Sequence, residues 1–164
     1  MKTIKVEKVT LNIGAGANQD EVDKAFKLLS ILSGAKPVKT NAKKRIATWK
    51  IRPGLPIGTK VTLRGKKAVE ILKNMLKAIG NEIKGSSFSE NGFSFGIKEY
   101  IDVPDAKYDP AIGIIGFDTI VTLERPGFRI KKRKLRKSNI SPSHRITKQD
   151  AMDFAQKVLG VKIK

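Results

Sequence analysis

A chain of 164 residues with 34 Lys and Arg against 15 Asp and Glu carries a net charge of +19, and so basic a surface calls for a polyanion to relieve its self-repulsion. Nucleic acid is the first candidate, because neutralised phosphates release condensed counterions; an anionic membrane surface is the second. The absence of Cys excludes disulfides and thiolate metal sites, and the 40% apolar content supports a core, which excludes a disordered basic tail.

The opening MKTIKVEKVT alternates charged and apolar residues, without the continuous apolar segment of a signal peptide. No apolar run reaches the roughly 20 residues needed to cross a bilayer. The expectation is a soluble, cytoplasmic protein with no membrane partner.

Residues 3–13 read as a strand. Ile4 and Val6 share one phase, whereas Val9, Leu11 and Ile13 alternate in the other, which predicts a bulge near Glu7 and a polar face of Lys8, Thr10 and Asn12. After the turn Gly14–Gly16, Asn18 or Asp20 caps a helix. Its apolar residues are Val22, Ala25, Phe26, Leu29 and Leu32; Gly34 ends it and Pro37 blocks continuation. Residues 38–58 are irregular, and short pieces of strand around a long exposed loop are expected.

Thr59–Arg64 alternates as a strand, with Val61 and Leu63 inward and Lys60, Thr62 and Arg64 outward. Gly65 turns the chain into a helix whose stripe is Ala68, Val69, Leu72, Met75, Leu76 and Ile79, stopped by Gly80. Asn91-Gly92 is a turn before Phe93, Phe95 and Ile97, which alternate inward. Residues 100–115 read mostly as loop, and Asp118–Glu124 as a strand with Thr119, Val121 and Leu123 on one face. Lys131–Lys137 then reads KKRKLRK, and residues 147–159 predict a helix capped by Thr147, with Ala151, Phe154, Ala155 and Val158 on one face. We take 1–164 as a single domain, with 128–164 its basic C-terminal extension. The order predicts α+β: an antiparallel-rich sheet with helices on one face, an open polar face and a protruding basic loop.

Four constellations bear on function. From Lys24 to Val69 there is no Asp or Glu, while Lys24, Lys27, Lys36, Lys39, Lys43, Lys44, Arg45, Lys50, Arg52, Lys60, Arg64, Lys66 and Lys67 fall in that stretch. A solvated face explains a short basic run, but this one spans a helix, a loop and a strand, which points to nucleic acid. Trp49 lies inside it, either as a stacking platform for a base or as a core residue. Lys60, Thr62 and Arg64 on one strand face suit phosphate and 2′-OH contacts, although solvent faces are commonly built so. KKRKLRK suits phosphate contact; a localisation signal or a membrane contact is the alternative, the latter weakened by its slight apolar moment.

Enzyme signals are poor. NIGAG lacks the third Gly of a dinucleotide loop, there is no GKS or GKT, and the lone His144 has no acid beside it. Asp102, Asp105 and Asp109 lack a Ca²⁺-loop spacing and read as turn and capping residues. No catalytic residue, cofactor or metal ligand is assigned. The rivals are a general nucleic-acid binder and an RNA-acting enzyme, the latter without a carboxylate in the basic stretch.

Three segments, VEKVTLNIGAG, SGAKPVKTNAKKRIATWKIRPGLPIGTKVTLRG and FSFGIKEYIDVPDAKYDPAIGIIGFD, resemble the universal large-subunit ribosomal protein five family, which binds 5S rRNA. The resemblance covers most of residues 4–124. The tail RPGFRIKKRKLRKSNISPSHRITKQDA resembles the archaeal and eukaryotic branch, and the start almost at the first strand, without the extension typical of bacterial members, points to an archaeal origin.

The resemblance implies a structural component of the large ribosomal subunit that binds 5S rRNA and helps form the central protuberance. The expected partners are 5S rRNA (chiefly its helix III and loop C region), 23S-type rRNA, other central-protuberance proteins, the P-site tRNA and a small-subunit head protein across a bridge. It also implies a 5S rRNA set of Lys8, Asn12, Trp49, Thr62 and Arg64, and shifts Trp49 toward a contact role. The loop from Lys43 to Gly58, with Lys43, Lys44, Arg45 and Arg52, would approach the tRNA elbow. One departure is Ala35, where many members carry an RNA-contacting Gln; a backbone group, a water or Lys36 substitutes, or affinity is lower.

Overall fold

The computed structural model describes residues 1–104 and 106–164. A six-stranded sheet in the order β2-β3-β1-β7-β6-β5, antiparallel throughout, organises them. The strands are β1 (Lys5–Gly14), β2 (Val38–Asn41), β3 (Pro56–Leu63), β5 (Phe88–Ser89), β6 (Gly92–Ile97) and β7 (Phe117–Glu124). β4 (Glu82–Ile83) and β8 (Lys162–Ile163) form a separate parallel pair that sequence reasoning missed. The helices are α1 (Gln19–Ser33), α2 (Gly65–Ala78), the short α3 (Arg129–Lys132) and α4 (Lys148–Leu159). The predicted α+β class and antiparallel sheet are those observed.

The local expectations hold where the pattern is strong. The register of β1 against β7 shifts between Val6 and Lys8, so the bulge falls at Glu7. Val9, Leu11 and Ile13 are buried on the face covered by α1 and α2. Asn18 caps α1 by accepting from the Asp20 N–H at 3.1 Å, and Gly34 ends the helix in the left-handed region at φ 53°.

Packing corrects details elsewhere. Leu28 is buried in α1 while Phe26 is only half-buried, because the helix sits over β3 on a slightly rotated stripe. β3 begins at Pro56, not Thr59, because β2 pairs with that stretch. Gly58, read as a loop signal, instead marks a close approach: a Cβ there would lie 2.5 Å from the Ile13 carbonyl oxygen. Val158 is 61% exposed, since α4 packs with Ala151 and Ala155 inward and leaves Val158 outside.

Residues 128–164 are built into the core. Phe128, Ile146, Ala151, Ala155 and Val161 join the same hydrophobic cluster as the sheet residues, and α4 packs on β5 and β6. Arg125, just after β7, ties this segment down. Its guanidinium donates to the carbonyls of Arg145 at 3.1 Å and His144 at 3.5 Å, and pairs with Asp150 at 3.1 Å. His144 bonds the Pro126 carbonyl through Nε2 at 2.9 Å and meets the edge of Phe128, a structural role.

Thr147 and Asp150 form a capping box at the start of α4. The Asp150 carboxyl is held below its ordinary value of 3.8, chiefly by the Thr147 backbone N–H; partial burial opposes this, and the Thr147 hydroxyl and the Arg125 charge add to it. Such a carboxyl binds fewer protons folded than unfolded, so its stabilisation is full above the ordinary range and fades as pH falls through the lowered folded value. Asp150→Asn is expected to cost about 1 kcal/mol near neutral pH, the usual value of a cap. In urea titrations the gap from wild type is expected to close only as pH falls below the ordinary carboxylate range, through the lowered folded value; a gap unchanged by acid would contradict the capping role.

Candidate nucleic-acid interface

Strand alternation puts every second residue of β1 on the face away from α1 and α2. Lys8, Thr10 and Asn12 emerge there, half-buried. On β3, Lys60 lies opposite Asn12 and Thr62 opposite Thr10, both exposed. Leu63 pairs with Val9, so Arg64, the next residue and the cap position of α2, continues the register beside Lys8. On the other flank Thr122 faces Lys8 and Ile120 faces Thr10. The predicted residues Lys8, Asn12, Thr62 and Arg64 are therefore brought together on one open face. Cations, an amide and a hydroxyl on a rigid sheet offer contacts to phosphate oxygens and 2′-hydroxyls. Thr10, Lys60 and Thr122 belong to the same face; β7 places Thr122 there by a pairing that no local pattern announces.

The predicted loop from 43 to 58 is shorter and more ordered than expected. The Ala42 N–H donates to the Leu55 carbonyl at 2.8 Å, and the Gly54 N–H to the Ala42 carbonyl at 2.9 Å. Ile46 and Ile51 exchange both backbone hydrogen bonds at 3.0 Å, extending the β2–β3 hairpin to a tip at Ala47–Trp49. Lys50 closes the tip in the left-handed region at φ 55°. Lys43, Lys44, Arg45, Lys50 and Arg52 are all exposed, and among the described residues none is in an ion pair. The result is a preformed positive finger.

Trp49 is 66% exposed, which removes the core alternative. The structure does not seat it on the β1–β3 face with Lys8, Asn12, Thr62 and Arg64. It stands at the hairpin tip among the cations, an exposed indole suited to stacking on a base.

Among the described residues, no group of His, Asp and Glu is arranged to hold a metal ion, and no helix is long and apolar enough to cross a membrane. The Asp109 carboxylate accepts from the Ala111 N–H at 2.9 Å, a turn role; Asp105 lies outside the described residues.

Residues 56–161 match the model of the C-terminus of the ribosomal protein L5 family, and residues 1–52 match that of ribosomal protein L5. The chain belongs to the ribosomal protein L5 family. The two L5 segments meet in the hairpin and share one sheet, since β1 of the first pairs with β3 and β7 of the second. Several archaeal proteins are among the similar ones. A "large ribosomal subunit protein uL5" of Nanoarchaeum equitans is 54% identical, covering 99% of this chain and 97% of that protein. Proteins of the same name from Sulfurisphaera tokodaii and Pyrobaculum aerophilum are 48% and 46% identical, covering 99% of this chain and 93% and 92% of theirs. The chain is thus an L5 protein of archaeal type, a structural ribosomal protein and not an enzyme.

Proposed function

We propose that this chain is a component of the large ribosomal subunit that holds 5S rRNA on its open sheet face and directs its hairpin at the P-site tRNA. Its place is the cytoplasmic ribosome, where it helps form the central protuberance and bridges to a small-subunit head protein. One observation carries the reading. Lys8, Asn12, Thr62 and Arg64 converge on a face that no helix covers, beside a finger whose cations lack internal partners among the described residues. A preformed array of this kind contacts RNA with little ordering cost. In this reading Trp49 joins the 5S set from the hairpin tip, while Lys43, Lys44, Arg45 and Arg52 take the tRNA backbone. Ala35 is half-buried with its backbone N–H bonded to the Ser33 hydroxyl, so the contact made by Gln elsewhere in the family falls to the exposed Lys36.

Direct binding tests the reading. Trp49, the chain's one Trp, reports binding by its own fluorescence. 5S rRNA is titrated against duplex DNA and tRNA competitors over a salt series. Tight 5S binding that survives competition, with a shallower salt slope than DNA, is expected of a contact set with a non-ionic share. Equal affinities that fall together with salt would reduce the interface to its charge and favour a general nucleic-acid binder.

A further inference from the structure

A groove of about 600 Å³ opens where the sheet face meets the basic C-terminal segment. Its volume falls within the roughly 300–1,000 Å³ of sites that enclose small ligands. Its apolar lining is the half-buried Ile140 together with the largely buried Phe128 and Leu123. Lys131, Lys137 and Arg145 line one side, and Asn91 with Glu90 the turn between β5 and β6. Thr122, also in the lining, faces Lys8 across the strands, so the groove continues the open face from its Lys8 and Arg64 end.

The groove is held in shape from within. The bulge in β1 sets Glu7 against Lys132 at 2.6 Å, and Glu124 reaches the same ammonium at 3.8 Å. Lys132 is thereby engaged and Glu7 neutralised, whereas Lys131, Lys137 and Arg145 are exposed and make no ion pair among the described residues. Arg125 anchors the segment through the carbonyls of His144 and Arg145.

We propose that this groove takes one unpaired, unstacked nucleotide of the bound RNA. Its phosphate lies on Lys131, Lys137 and Arg145, its base against Ile140 and the small part of Phe128 left exposed. Charge complementarity on one wall, an apolar surface for a ring and continuity with the sheet face favour a nucleotide over a peptide. A fully paired stem has no base to offer, because its bases are stacked within the helix. Asn91 and Asn139 each present a donor and an acceptor to a base edge. The Glu90 carboxylate accepts from an exocyclic amine, which favours cytosine, adenine or guanine over uracil.

The proposal rests on the open face being an RNA surface, and the test separates the two. The full chain is titrated with three RNA hairpins of one stem: fully paired, with a single bulged cytidine, and with an abasic bulge. The bulged cytidine is expected to bind about tenfold tighter than the other two, as for one stacked base. Asn139→Leu, which fills the groove with an aliphatic side chain and offers no ring to stack on, removes that preference and leaves binding to the paired stem within about twofold. Thr62→Ala with Arg64→Ala weakens all three hairpins alike and keeps the preference. Equal binding of paired and bulged stems by wild type, an abasic bulge as tight as cytidine, or a preference that survives Asn139→Leu would each overturn the groove assignment while the sheet face stands. Displacement of the bulged RNA's advantage by an acidic peptide would give the groove to a protein partner. Failure to bind any hairpin would overturn both readings.

Discussion

Replacing Thr62 and Arg64 together by Ala is expected to lower affinity for 5S rRNA by about 2–4.5 kcal/mol, roughly 30- to 2,000-fold, at about 0.5–1.5 kcal/mol for the neutral Thr62 contact and about 1.5–3 for the charged Arg64 contact. Both side chains are exposed and neither makes a hydrogen bond or an ion pair within the described residues, so unfolding by urea should be unchanged. That separation is what marks a contact residue. Neutralising Lys43, Lys44 and Arg45 should leave isolated 5S binding nearly intact yet impair tRNA-dependent steps on the ribosome, because in the proposed reading 5S rRNA is held by the β1–β3 face and Trp49 while these three cations take the tRNA backbone. Filter binding of the two variants to 5S rRNA, with tRNA binding to reconstituted ribosomes, decides the matter. Loss of 5S binding in the Lys43, Lys44 and Arg45 variant would undo this division of labour.

Arg125→Ala should cost about 3 kcal/mol of stability, as for a buried charged group removed from its partners. The side chain is only 10% exposed, and its guanidinium serves two carbonyls and the Asp150 carboxylate at once. Alanine leaves those acceptors without their donor and leaves a void where the buried side chain stood. Lysine should recover little of the loss, since an ammonium on a flexible stem cannot reproduce the planar fork. Urea unfolding measures the cost, and hydrogen exchange should show α4 and residues 140–147 opening first. A loss below about 1 kcal/mol, the range of exposed pairs, would mean that the C-terminal segment is held by its apolar residues alone.

Local chemistry made much of this molecule readable. Alternation in KVTLNIG and FDTIVTLE gave inward faces that the sheet buries, and the phase change at Glu7 gave the bulge. Asn18, Gly34 and Thr147 marked helix ends because a cap is satisfied by neighbours two to four residues away. The missing acids between Lys24 and Val69 forecast a basic surface, since charge needs no fold to be counted. Lys8 with Asn12, and Thr62 with Arg64, were legible as strand faces; that the two pairs are neighbours depends on β1 lying beside β3.

What escaped was set by distant partners. Pro56–Gly58 reads as loop until β2 pairs with it, and only the approach of Ile13 explains why residue 58 has no side chain. Val158 has the spacing of a core residue, but α4 meets β5 and β6 with Ala151 and Ala155 buried and leaves Val158 in solvent. The β4–β8 pair joins strands about 80 residues apart, which no periodicity within either can reveal. Trp49 was balanced between core and surface by its chemistry, and the hairpin's reach beyond the core put it in solvent. The groove beside Thr122 exists only because Arg125, Glu7 and Glu124 draw a basic segment against the end of the sheet, and such a concavity belongs to no single stretch of chain.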